Sequence, residues 1–444
     1  MLCRLTMVAV LPATLIGSGG GVGPTRTSVP RGDDATRDTV ATSSSDSGGC
    51  RLRVVGQRRL RMPDGSIPYV ASFSEAWRDD AGLFMGGPVF LFDSTAGFSE
   101  EPVPRDSLIG LLIDTSGIAR PVATPLTGGY SLYPRVVNAT EGGWDVIIAR
   151  SPASDSAATT AESPAELWFG HFDGRRWSAV DLVAVTRGAS LRPEYSSRLV
   201  RNHLGDLAFA YPFLFGAPTP GIVLVRRSAG RWRSDSLPTP ERVDYVGVEP
   251  SRSGNGWTLA YRMPNLSRGS FSLATLWTVT VDSTWKAPGV VVHGKYTRLT
   301  DPVFVRVGDT LLSSWWQRPE EAMAPSGPIG TVRWAYVDTA AAMYAPQTRI
   351  AARVGTEFQL VSLGHRIALW VLRDLTTTSR VSLSAWHEGV ITELGALELT
   401  NDTGMSVVAR DDSTVSLLSS RFGRGPGDPP VTSTLTTATL SCMQ

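Results

Sequence analysis

The chain has 444 residues, 42% of them hydrophobic, with 42 basic and 41 acidic side chains that leave a net charge of +1. That length supports a substantial core, and the charge balance excludes a general attraction to nucleic acid or to membrane surfaces. After the first twenty residues no run approaches about 18 consecutive apolar positions, so no later helix is expected to span a bilayer.

Residues 1–20 carry a basic Arg4, an apolar run from Leu5 to Ile16 interrupted by Pro12, and small residues from Gly17 to Gly20. That is the make-up of a secretory signal peptide. Residues 21–49 are rich in Gly, Ser, Thr and Asp and lack aromatics, which predicts a disordered linker. Arg31-Gly32-Asp33 reads there as chance in a polar tail. Only two basic residues, Lys286 and Lys295, are lysines, a bias expected of a GC-rich bacterial genome. Removing the signal would take Cys3 and leave Cys50 and Cys442, an even number in an exported protein. Cys50 precedes the first expected strand, Leu52 to Leu60, and Cys442 follows the last, Thr434 to Leu440. A disulfide between them is predicted where a hairpin loop would otherwise complete a blade.

From Cys50 to Cys442 one pattern recurs: an extended run, a turn glycine, a second strand, an exposed loop, and a third strand closed by a Gly/Asp-x-Trp turn. The turn before the second strand falls at Gly87, Gly143, Gly205, Gly256, Gly308 and Gly364, with a glycine-free copy near Asp412. The intervals of 56, 62, 51, 52, 56 and 48 residues are those of a β-propeller, whose small antiparallel blades cannot bury both faces alone. The fold expected is all-β: a seven-bladed propeller of four-stranded antiparallel blades over residues 50–442, closed by strands from both ends, with six blades as the runner-up. The first copy is the least regular, since Gly82, Gly86 and Gly87 compete for its turn. No segment keeps a 3.6-residue apolar period for three turns, so no long helix is expected.

Most tryptophans recur in step: Trp144, Trp257, Trp315 and Trp370 on second strands, Trp168, Trp277, Trp334 and Trp386 on third strands. Periodic placement favours filling between twisted neighbouring blades over stacking on sugar rings. Second-to-third connections such as 151–166, 212–220, 264–270, 319–328 and 423–430 are longer than the hairpins at the opposite rim. Variable loops on a rigid scaffold make that rim the expected functional face.

At the same rim several second strands end in arginine: Arg150, Arg262, Arg318, Arg373 and Arg421. Facing a common axis they would form a basic funnel, and the planar guanidinium fork suits carboxylate, sulfate or phosphate. In the competing reading each pairs with a nearby acid and caps its strand. The funnel reading requires at least two of Arg150, Arg262, Arg318 and Arg373 to lack a carboxylate within salt-bridge distance.

Residues 133–177 run Tyr-Pro-Arg, apolar strand, Gly-Gly-Trp, apolar strand, loop, strand, Asp173-Gly174-Arg175-Arg176-Trp177. This order resembles the sialidase-like propellers with Asp-box repeats, over the second to fifth copies well and elsewhere weakly. In that family the box is a folding device, a turn braced by an Asp side chain and a Trp. Active members clamp a substrate carboxylate with three arginines and add a Tyr/Glu nucleophile pair and an acidic general acid. The resemblance would place Arg135 and Arg298 in the clamp, Glu194 or Asp301 as acid and Tyr195 or Tyr296 as nucleophile, none of them in a diagnostic motif.

Other chemistries are weaker. Gly289-Val-Val-Val-His-Gly294-Lys295 lacks the Ser/Thr and helix of a phosphate loop. Gly-x-Ser-x-Gly elbows, zinc-type Cys or His spacings and acidic calcium loops are absent from the sequence. His171, His203, His293, His365 and His387 are scattered among turns and strand ends, and Asn138, Asn265 and Asn401 head glycosylation-type triplets. The expectation is an exported monomer that needs no cofactor and no metal and binds an anionic glycan or an extracellular protein. An exo-glycosidase of sialidase type is the alternative.

Overall fold

The computed structural model describes residues 50–70, 74–92, 107–127, 130–151, 164–187, 191, 196–213, 220–251, 256–264, 273–281, 289–319, 331–336, 348–351, 357–364, 366–373, 380–398, 404–422 and 431–442. The expected signal peptide and linker, and most of the long loops, lie outside these residues. Among the described residues the regular elements are all β-strands.

The strands form antiparallel sheets in chain order. Sheet I comprises Ser74–Arg78, Gly82–Gly86, Leu108–Ile113 and Ala119–Ala123. Sheet II comprises Tyr130–Asn138, Trp144–Ser151, Pro164–Phe172 and Trp177–Arg187. Sheet III comprises Val200–Arg201, Leu207–Pro212, Gly221–Ser228 and Arg231–Pro238. Sheet IV has seven strands: Tyr245–Pro250, Trp257–Pro264, Leu273–Val281, Gly289–Val307, Thr310–Pro319, Thr331–Tyr336 and Thr348–Ala351. Sheet V comprises Glu357–Leu363, Ile367–Arg373, Arg380–His387 and Val390–Glu398. In sheet VI, Gly404–Ala409, Thr414–Phe422 and Val431–Cys442 are joined by Cys50–Arg59, which pairs with the last of them from Cys50↔Cys442 to Arg59↔Thr434. A small two-stranded sheet pairs Ile67–Val70 with Val89–Phe92.

Among the described residues the blades therefore number six, not the expected seven. The crossing between the copies anchored at Gly256 and Gly308 is a single unbroken strand. Gly289 to Arg298 pairs with Leu273–Val281, and Thr297 to Val307 pairs with Thr310–Pro319. The only irregularity in the second pairing falls between Thr300 and Val303, beside Pro302, and it does not interrupt the strand. Hydrogen bonding thus fuses two sequence copies into one sheet. The first turn anchor is also corrected, from Gly87 to Gly82. Gly82 has φ +97 and Gly143, its counterpart in sheet II, +72; an added Cβ would collide with the carbonyls of Ile113 and Phe172 respectively.

The apolar residues of these strands pack sheet against sheet. Phe84 and Ile109 of sheet I meet Trp144, Val146 and Phe172 of sheet II in one buried cluster, with Phe84 and Trp144 ring centroids 5.7 Å apart. Trp334 of sheet IV and Trp370 of sheet V lie 6.2 Å apart in another. Trp144, Trp257, Trp315, Trp370, Trp334 and Trp386 are all buried, which is the filling role and not a stacking platform. Burial of that size contributes roughly 4–6 kcal/mol of transfer free energy per tryptophan.

The first strand of each sheet, facing the axis, would leave an unpaired edge. Polar side chains satisfy several of these edges across sheets. Ser74 Oγ accepts from Val136 N at 2.9 Å. Arg201 Nε donates to Asn138 O at 2.9 Å, and within sheet IV Arg306 Nε donates to Pro250 O at 2.6 Å. Gln359 bridges Met405 O and Val407 N at 2.7 and 2.8 Å. Gly404–Ala409 packs against Ser74–Arg78.

Candidate functional site

Arg150, Arg262, Arg318, Arg373 and Arg421 each fall within the last three residues of a strand that follows one of the first-strand turns, so all five mark the same ends of their strands. The side chains of Arg318, Arg373 and Arg421, and of Arg298, lie outside the described residues; in backbone register Arg298 is opposite Arg318. Arg262 is held by Asp244, Nε to Oδ1 at 2.8 Å and Nη2 to Oδ2 at 3.1 Å. Arg150 Nη1 reaches Glu166 Oε2 of its own sheet only at 3.6 Å. Its Nε is buried without a hydrogen-bond partner among the described residues. The two described members of the set thus each face a carboxylate, one tightly and one loosely.

Arg135 is not placed as a clamp would need. It is 2% exposed, and its guanidinium donates to Ser197 O at 3.1 Å, Ser196 Oγ at 3.2 Å, and Tyr133 O and Pro134 O at 3.3 Å. A bulge between Leu132 and Arg135 turns the side chain inward, with Tyr133 at φ 49. Arg135 therefore ties the inner strand of sheet II to the segment leading into sheet III. Glu194 and Tyr195, and the side chains of Tyr296 and Asp301, lie outside the described residues.

The expected braced turn is formed at Asp173. Its Oδ1 accepts from the amides of Arg175 and Arg176, both at 2.7 Å, and the donations from Arg176 and Arg175 hold this carboxylate below its ordinary range. Trp177 Nε1 donates to Ala123 O of sheet I at 3.0 Å. Asp411 braces its turn in the same way through Ser413 and Thr414. These turns hold the scaffold and carry no reacting group.

Sequence reasoning missed three features. Buried Asp145 accepts from Arg201 of sheet III and lies 3.0 Å from His171 Nδ1. This network locks sheets II and III together. Beside the predicted Cys50–Cys442 disulfide, His387, which the sequence did not place there, brings a ring nitrogen within 4.8 Å of the two sulfurs. With the sulfurs bonded to each other, the group is not a thiolate ligand set.

The third is a cavity on the axis. One part, about 330 Å³, is walled by the first strands of all six sheets and by the end of Gly289–Val307 in sheet IV, including Glu75, Asn138, Glu249, Arg306, Ser362 and Val408. A connected part of about 860 Å³ shares Glu249 and Arg306 and opens among the first-to-second strand turns at His203, Ser251, Asp309 and Gly364. It therefore opens at the short-turn rim, opposite the strand ends that carry the arginines. Burial in the wall pushes Glu249 up to about 7, against the pull of Arg198 and Arg306. Among the described residues no hydrogen bond to its carboxylate contributes to that shift. Residues so distant in sequence carry no local signal of this meeting.

No family model matches the sequence, and no curated protein matches it by sequence. In fold the chain is similar to the polysaccharide lyase Uly1, at 10% identity and a TM-score of 0.50, covering 84% of this chain and 91% of that one. It is also similar to Trypanosoma rangeli sialidase in complex with sialic acid, at 11% identity and a TM-score of 0.42 over 74% of this chain and 56% of that one. Hadza microbial sialidase Hz136 is similar at 13% identity and a TM-score of 0.43, over 79% and 75%. No helix among the described residues is long and apolar enough to cross a membrane.

Proposed function

We propose that this chain is an exported, monomeric β-propeller that binds an anionic glycan, or a protein surface of like charge, on the rim where the longer connections and the second-strand arginines meet. The disulfide supports export, because such bonds persist in oxidising compartments. In this reading the pairing of Cys50–Arg59 with Val431–Cys442 closes the ring.

The observation that carries the reading is Arg150. A buried guanidinium nitrogen without a partner is costly unless a ligand or water serves it, and the nearest acid stands back at 3.6 Å. Arg298, Arg318, Arg373 and Arg421 would complete the basic rim. Binding is favoured over glycoside hydrolysis because Arg135, the first clamp candidate, gives its donors to the protein itself. The test is an acidic-glycan array run beside a fluorogenic sialoside assay on one preparation. Retention of acidic glycans without sialoside turnover is expected; turnover would establish the exo-glycosidase instead, and silence in both would remove the glycan reading.

A further inference from the structure

We propose a second binding site, at the short-turn mouth of the axis, that takes a neutral hydroxyl-rich ligand, a mono- or disaccharide, with Glu249 as its principal hydrogen-bond acceptor. This site is independent of the arginine rim and lies at the other end of the propeller.

Four observations converge on it. The cavity of about 860 Å³ lies within the roughly 300–1,000 Å³ usual for small-ligand sites. Its mouth is framed by His203, Ser251, Asp309 and Gly364, from the short first-to-second strand turns of sheets III, IV and V. The cations in its wall are already engaged. Arg201 pairs with Asp145, and Arg306 donates to Pro250 O at 2.6 Å and Asp309 O at 3.3 Å. Glu249 lines both parts of the cavity as an acceptor, with no hydrogen bond from the described residues contributing to its shift.

Charge selects the ligand. Arg198 and Arg306 both act on Glu249, so a ligand ammonium would be repelled. Glu75 and Asp309 lie in the same walls with Glu249, so no net positive field remains to hold an anion. A hydroxyl carries no charge and donates to a carboxylate, while Leu199, Val200 and Pro250 offer apolar wall for the C–H faces of a sugar ring. Hydroxyl donation favours the ionised acid, so affinity should rise from pH 6 to pH 8 as Glu249 loses its proton. Arg198, Arg306, Glu75, Asp309, Arg201 and His203 also line these walls, and comparison with Glu249→Gln separates the titration of Glu249 from theirs.

The experiment is a calorimetric titration of the full chain with maltose, cellobiose and lactose, and with glucuronic acid as the anionic control. At least one neutral disaccharide is expected to bind, more tightly at pH 8 than at pH 6. Glu249→Gln should weaken it at least tenfold at pH 8 and abolish the pH dependence, with Arg150→Ala leaving it unchanged. His203→Trp, from an exposed turn position, should narrow the mouth and weaken binding without touching the core. The proposal fails if no neutral sugar binds, if glucuronic acid binds better, or if Arg150→Ala weakens binding as much as Glu249→Gln does. An acidic-glycan array result on the other rim is a separate outcome and does not decide this one.

Discussion

Arg262 and Asp244 are joined by two parallel hydrogen bonds, 2.8 and 3.1 Å long, and this geometry sets Arg262 apart from Arg150 despite their equivalent strand positions. Arg262→Ala is expected to cost about 1–3 kcal/mol of stability by leaving Asp244 half-buried and alone, with acidic-glycan binding unchanged. Arg150→Ala should do the reverse. A loss of about 1.5–3 kcal/mol in binding, the range for hydrogen bonds to charged groups, should come with little change in denaturation midpoint. Calorimetry and urea unfolding of both variants check the pair, and an equal effect of the two on binding would refute the distinction.

Arg135 is a strut, and its removal should be felt in folding. Arg135→Ala withdraws donors from Ser197 O, Ser196 Oγ, Tyr133 O and Pro134 O at once and leaves a cavity. A loss on the order of 3 kcal/mol or more is expected in chemical denaturation. A variant of wild-type stability that lost ligand would instead return Arg135 to a binding role.

Stability should depend on pH through Glu249. Its folded value of about 7 lies above the ordinary 4.5, so the folded protein holds a proton that the unfolded chain gives up. The sign follows: the contribution is fully present below about pH 4.5 and is lost as pH rises through 7. At most about 3 kcal/mol is involved. Glu249→Gln should flatten the curve between pH 5 and 8 and raise stability at pH 8. Unfolding curves at several pH values decide it, and an unchanged slope in the variant would exclude Glu249 as the source.

The Cys50–Cys442 bond spans 392 residues. Chain-entropy reasoning gives roughly 6 kcal/mol for so long a loop, less whatever structure the unfolded state retains. Reduction, or Cys50→Ser, should lower the unfolding midpoint. Alkylation should label neither sulfur before reduction and both after it; labelling without reductant would contradict the bond.

The legible part of this fold was its local chemistry. Turn glycines, alternating apolar strands and a braced Asp173 turn are written over a few neighbouring residues, and so was the repeat they make. The blade count was not legible, because Val-rich sequence on both sides of Pro302 does not say whether a crossing interrupts hydrogen bonding. Gly82 and Gly87 could be separated only once the strand lengths around them were known. Arg135 misled for a related reason: a charged residue on a strand reads as exposed, and only the bulge at Leu132 reveals that it turns inward. Glu249, Arg198 and Arg306 belong to separate sequence copies, and only the ring brings them together.

The strand Gly289–Val307 belongs to two copies at once, so the molecule has no seam there. A hinge, a proteolytic nick or a circular permutation point needs a stretch whose backbone hydrogen bonds can be released without cost to both neighbours. Here each half of the strand is clamped by a different partner. The amides from Gly289 to Val307 should exchange with solvent as one block, and deletion of either copy alone should strip an edge from the other. Any duplication history that built this chain has, at this one place, been overwritten by a shared element that can no longer be inherited or lost in halves.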